Sequence, residues 1–168
     1  MGYLNHLSRY RLLPGVVGAI RRLNKAMLPV IVVTNQSGVG RGYFPEQLVR
    51  DVHERMIEDF REAGARLDGV YYCPHVAADD CECRKPKTGM LKQAARELSL
   101  DLSQSYVVGD RKDDVELAYR ASAHSVLVRT GYGEGELAWH AKNWPRQPEF
   151  VAADLPEAVE WILREVQR

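Results

Sequence analysis

An α/β fold, with a parallel sheet covered by helices on both faces, is what the 168-residue sequence predicts. Three observations lead there. Short apolar runs rich in β-branched residues recur along the chain, among them "VIVV", "YVVG" and "SVLV". Segments with apolar residues at three- and four-residue spacing lie between them, the pattern of amphipathic helices. Apolar strands flanked by helices of this length imply strands buried on both faces, which is how parallel sheets are covered.

The elements follow in order. "PGVVGAIRRLNKAM" places Val16, Val17, Ile20 and Leu23 on one helical stripe, with Pro14 suited to the first turn. A strand runs from Val30 to Val33. "PEQLVRDVHERMIEDFREAG" predicts a helix with Leu48, Val52, Met56 and Phe60 on one face, opened by Pro45 and stopped by Gly64. The strand "GVYY" leads into a cysteine-bearing segment. Then come a helix over "GMLKQAARELSL", a strand over "SYVVGD", a helix over "DDVELAYRAS" and a strand over "SVLV". After a stretch containing Gly, Trp and Pro, "EFVAA" reads as a last strand and "LPEAVEWILREVQ" as a closing helix. No repeat, linker or low-complexity segment interrupts the pattern, so residues 1–168 are expected to form a single domain.

Composition narrows the function. Hydrophobic residues make up 45% of the chain, enough for a real core, and the formal net charge is zero. No broad basic face is expected, which argues against nucleic acid held by phosphate neutralisation. No apolar run reaches membrane-spanning length, and "MGYLNHLSRYRLLPG" lacks the apolar centre of a signal peptide. A soluble cytoplasmic protein, without membrane or nucleic-acid partners, is the expectation.

Ligands of such folds bind at the carboxyl ends of the strands. Two strands end there in polar turns, "VVTNQSG" and "VVGDRKDD". Thr34 and Ser37 with the following backbone amides suit a phosphoryl group. They equally suit a turn in which Asn35 and Ser37 bond their own backbone. Asp110 is placed to hold a hard cation such as Mg²⁺ beside a substrate phosphate. Asp113 reads mainly as a helix cap and Asp114 as a group behind the metal ligand.

"CRKPKTG" offers Arg84 and Lys85, the latter restricted to extended backbone by Pro86. A fixed ammonium suits a transferring phosphoryl group and a guanidinium a second phosphate, although composition alone would also allow a solvated basic run. "CPHVAADDCEC" spaces Cys73, His75, Cys81 and Cys83 as C-x-H-x₅-C-x-C. Three thiolates and an imidazole make a closed tetrahedral set for structural zinc within a loop spanning 73–83, against the alternative of unrelated loop cysteines. His6, His53, His124 and His140 have no such company and receive no role; His53 is expected at the surface.

Taken together, "VVTNQSGVGRGYF", "YYCPH…CECRKPKTGML" and "SYVVGDRKDDVE" resemble the D-glycero-D-manno-heptose 1,7-bisphosphate phosphatases of the haloacid dehalogenase superfamily. The likeness extends from Gly2 through "LVRTGYG" at Gly133. It implies a Rossmann-like sheet of haloacid dehalogenase type with a small zinc-binding loop, and a Mg²⁺-dependent phosphoric monoester hydrolase working through an aspartyl-phosphate. The product would serve surface-glycan precursor synthesis. By resemblance Thr34 and Lys85 stabilise the phosphoryl group, and Asp110 binds Mg²⁺. Gly2, Tyr3, Asn35, Gln36, Ser37, Arg84 and Arg111 contact the phosphorylated sugar, position 111 being Lys in most of the family.

The family's opening strand ends in Asp-x-Asp-Gly, whose first Asp is the nucleophile and whose second is the acid/base. The sequence starts after that place, with Met1 ahead of the Gly-Tyr pair, so its first strand is expected to be missing. The 168 residues are accordingly expected to be inactive by themselves and to self-associate through exposed strand edges. A start at an internal methionine is the leading account. The alternatives are a histidinol-phosphate phosphatase-like enzyme and a non-catalytic, zinc-stabilised phosphosugar-binding module.

Overall fold

The computed structural model describes residues 2–167; Met1 and Arg168 lie outside them. The chain divides into two compact units, 1–84 and 85–168. In the first, α1 (Val16–Lys25) leads to β1 (Ile31–Asn35), a single turn α2 (Ser37–Gly40), α3 (Glu46–Glu62) and β2 (Gly69–Cys73). The second contains α4 (Gly89–Leu98), β3 (Tyr106–Gly109), α5 (Lys112–Arg120), β4 (His124–Val128), α6 (Gly133–Trp139), β5 (Phe150–Ala152) and α7 (Leu155–Val166).

Every strand pairing is parallel, as the sequence predicts. The ladders form two sheets, however: β1–β2 in the first unit and β3–β4–β5 in the second.

β4 shows why the second sheet is covered on both faces. Alternate residues of a strand point to opposite sides. Val126 and Val128 join Ala152 and Ala158 in one cluster, while Leu127 joins Val115, Ala141 and Trp144 in another. Val126 and Leu127 are 1% and 0% exposed, so "SVLV" is a buried centre, each such side chain worth about 1.5–3 kcal/mol.

The helix boundaries follow their chemistry with small shifts. α1 begins after Gly15 at φ 77°, so Pro14 precedes the helix rather than opening it. Pro45 caps α3, and Gly64 at φ 73° ends it in the left-handed conformation that glycine adopts without cost. The buried face of α3 is set by Val49 and Phe60, with Leu48, Val52 and Met56 half-buried, a face rotated slightly from the expected one. α6, in the stretch containing Gly, Trp and Pro to which no element was assigned, is an additional helix. No helix among the described residues is long and apolar enough to cross a membrane.

Candidate functional site

The phosphoryl-type residues of the first unit stand at the end of β1. Parallel register pairs Thr34 with Tyr72 and Asn35 with Cys73, so the strand end that carries the hydroxyl is laddered directly to the cysteine segment. Gln36 donates from Nε2 to Thr34 Oγ1 at 3.1 Å, and its N–H donates to the Cys73 carbonyl at 2.7 Å. One turn later the Gly40 N–H donates to the Pro74 carbonyl at 2.9 Å. A Cβ on Gly40 would sit 2.8 Å from that oxygen, so this close approach needs glycine. The polar turn is therefore held by the backbone of the next strand's exit.

Tyr3 joins the same turn. Its hydroxyl lies 3.3 Å from Ser37 Oγ, and its ring meets Tyr43 and Phe44 edge-on at 5.5 and 6.1 Å. The hydrogen bond to Ser37, then the charges of Arg41 and Arg84, hold its phenol below the ordinary range, with burial opposing. Arg41 was not among the expected site residues; "GVGRG" gives no local sign that its charge reaches Tyr3. Gly2 is exposed. Gly38 packs beneath, where a Cβ would fall 2.3 Å from Phe44 Cζ.

Cys73, His75, Cys81 and Cys83 converge as the spacing predicts, their ligand atoms all within 4.8 Å of one another. Cys73 Sγ lies 3.5 Å from Cys81 Sγ and 3.6 Å from His75 Nδ1; Cys83 Sγ lies 3.4 Å from Cys81 Sγ and 3.2 Å from His75 Nδ1. A tetrahedral zinc with bonds of about 2.0–2.3 Å has edges of roughly 3.3–3.8 Å, so the donor types and these four separations of 3.2–3.6 Å suit that ion. Burial pushes the Cys73 thiol up to about 12. Cys81 is held down to about 7: burial opposes this, but bonds from Cys83, Cys73 and the Arg84 and Cys83 backbone prevail. The loop continues straight into Arg84, whose Nη1 donates to the His75 carbonyl at 3.2 Å.

In the second unit the centre is an ion pair. Lys85 Nζ donates to Asp114 Oδ1 at 2.7 Å, the two side chains only 15% and 8% exposed. The other oxygen of Asp114 accepts the Arg111 N–H at 3.1 Å, which opens α5. Asp114 is thus the group that orients Lys85 and also starts the helix, the start expected of Asp113. Its signal was present as an acid three residues after the helix's first backbone N–H, but its partner lies far away in sequence. Lys85 sits in a turn, joined to Pro86 by a cis peptide bond.

Asp110 follows β3 and accepts the Tyr132 N–H on Oδ2 at 2.8 Å. Arg111 lies over the Tyr132 ring, its Cζ 3.8 Å from the centroid. A carboxylate oriented in this way offers the hard oxygen donor that Mg²⁺ prefers. The sequence flagged "TGYG" after β4 only as part of a resemblance, not as a site; a third strand end carrying glycines and an aromatic residue was the available clue. His53, expected at the surface, is half-buried against Tyr72, ring centroids 5.3 Å apart, and burial lowers its pKa.

Known proteins resemble the chain in sequence and in fold. A family model described as "HAD-hyrolase-like" matches residues 82–158. The D-glycero-D-manno-heptose-1,7-bisphosphate 7-phosphatase of Thermosynechococcus vestitus is 40% identical, over 96% of the chain and 88% of its own length. The D-glycero-beta-D-manno-heptose-1,7-bisphosphate 7-phosphatase of Haemophilus influenzae is 43% identical over 80% and 79%. Among solved structures, the D,D-heptose 1,7-bisphosphate phosphatase of B. bronchiseptica, complexed with magnesium and phosphate, has a TM-score of 0.88 at 34% identity. That match covers 97% of the chain and 89% of the other.

Proposed function

The chain belongs to the heptose 1,7-bisphosphate 7-phosphatases among the haloacid dehalogenase-like hydrolases, and from that premise we propose that it acts on the 7-phosphate of D-glycero-D-manno-heptose 1,7-bisphosphate. The observation that carries the reading is the structural likeness, along nearly the whole chain, to a phosphatase crystallised with magnesium and phosphate. The activity class is phosphoric monoester hydrolysis. Its product would feed the assembly of surface-glycan precursors, and its place would be the cytoplasm.

The residues divide the work. Lys85, held by Asp114, would present an ammonium to phosphoryl oxygens, and the family resemblance gives Thr34 a phosphoryl-stabilising hydroxyl. Asn35, Gln36 and Ser37 line the sugar with Gly2 and Tyr3. Arg84 and Arg111 take the substrate's remaining anionic and polar groups, a guanidinium gripping phosphate through two parallel N–H bonds. Asp110 would hold Mg²⁺, which when bound neutralises phosphoryl charge. Cys73, His75, Cys81 and Cys83 would hold zinc, which closes the 73–83 loop without offering an open position.

No Asp-x-Asp-Gly sequence occurs within the 168 residues. The groups described here therefore bind and polarise the phosphoryl group, and none of them is assigned the attack.

The test is phosphate release and calorimetric binding with Mg²⁺, comparing the heptose bisphosphate with histidinol phosphate. Preferential binding of the bisphosphate is expected. Preference for histidinol phosphate would overturn the substrate assignment. Tight bisphosphate binding without turnover, in protein isolated at its native length, would move the reading to the binding module.

A further inference from the structure

We propose that Tyr132 is the positioning residue for the adjacent pair Asp110 and Arg111, holding the first with its backbone and the second with its ring. The inference rests on the roles given above to those two residues. Neighbouring residues leaving a strand direct their side chains apart. A single residue from the next strand's exit meets both. The Tyr132 N–H donates to Asp110 Oδ2 at 2.8 Å, and the Tyr132 ring lies 3.8 Å beneath the Arg111 guanidinium carbon.

The turn that presents Tyr132 is shaped for this. Gly131 has φ 65°, and a Cβ there would lie 2.3 Å from Asp110 Oδ2, so glycine both permits the backbone and leaves room for the carboxylate. Gly133 approaches the Val128 carbonyl so closely that a Cβ would fall 1.8 Å from its oxygen. The Arg129 N–H donates to the Ala152 carbonyl at 2.9 Å, and its guanidinium pairs with Glu134 at 2.8 Å. The turn is thereby tied to β4, β5 and α6.

The physical effect differs for the two partners. One hydrogen bond holds Asp110 Oδ2 and so restricts how the carboxylate can turn, as groups behind metal ligands do. A guanidinium stacked by its face keeps its five N–H donors in its own plane, pointing away from the ring. Stacking on Tyr132 therefore removes rotamer freedom from Arg111 without using its donors. An arginine here offers a planar face for that contact; an ammonium has none.

The experiment uses the 168-residue protein with arginine side chains labelled for NMR, and calorimetry with heptose 1,7-bisphosphate and with Mg²⁺. The Arg111 Nε–H signal is expected to be shifted by the ring, to lose that shift in Tyr132→Ala and to keep it in Tyr132→Phe. Bisphosphate binding is expected to weaken about two- to fivefold in Tyr132→Ala, the scale of an exposed cation–π contact, and to recover in Tyr132→Phe. Gly131→Ala should weaken Mg²⁺ binding in the presence of phosphate by about tenfold, the scale of a lost supporting contact. Arg111→Ala and Asp110→Asn separate the two levels of the claim. If those variants weaken binding while Tyr132→Ala and Gly131→Ala leave binding and the Arg111 signal unchanged, the positioning role is overturned and the underlying roles stand. If Arg111→Ala and Asp110→Asn have no effect, those roles fail and the positioning role fails with them.

Discussion

Lys85 and Asp114 are both largely out of water, and that sets what either can lose. A buried pair contributes little over an apolar replacement, but removing one member strands the other's charge at a cost of about 3–5 kcal/mol. Asp114→Ala should therefore lower unfolding free energy by that order in a denaturant titration, and it also removes the acceptor for the Arg111 N–H. Asp114→Asn keeps an acceptor and should lose less. A stability change below about 1 kcal/mol in Asp114→Ala would show that the pair is solvated rather than buried. At the same scale, Gly38→Ala forces a methyl group against Phe44, which is only 7% exposed. Overpacking of that kind costs about 1–3 kcal/mol, readable as a shifted denaturation midpoint.

The 73–83 loop acts on its neighbours as an element. The carbonyls of Cys73, Pro74 and His75 receive Gln36, Gly40 and Arg84 in turn, so the loop's backbone is the wall against which the polar turn is set. Metal binding to such a loop is coupled to its order. Chelation should speed amide exchange at Gln36 and Gly40 by at least about tenfold, roughly 1.4 kcal/mol of local stability, while α7 amides change little. Equal acceleration everywhere would mean global unfolding instead. About one zinc per chain is expected by metal analysis, and undiminished zinc in a Cys81→Ser, Cys83→Ser double variant would show the wrong ligands. α6 shows what an element-level reading misses. "GEGELAW" is poor helix sequence because two glycines occupy its first turn, and what places it is the fit of Gly133 against the Val128 carbonyl.

For the whole molecule, one measurement separates the two readings: release of phosphate from heptose bisphosphate with Mg²⁺ is expected of the phosphatase, and binding without release of the phosphosugar-binding module. β3 and β5 each ladder with a single strand neighbour, leaving one row of backbone groups outside the sheet. Such edges template pairing with other copies. Light scattering should find mass rising with concentration, and a monodisperse 19.1 kDa species would remove the expectation.

What the sequence determined by itself is whatever depends on near neighbours. The continuous apolar run marks "SVLV" as a strand buried on both faces, since burial of every side chain in a run needs cover on both sides. The zinc-type cluster was legible because three thiols and an imidazole lie within eleven residues and need only one loop to bring them together. The tertiary structure alone decided the contacts between distant positions. Asp114 meets Lys85 across 29 residues, Tyr132 meets Asp110 across 22, and Tyr3 meets Ser37 across 34. No local periodicity encodes such a pairing. It exists only once parallel register and the strand-end turns have brought the side chains within hydrogen-bonding reach, and that requires the fold to be complete around them.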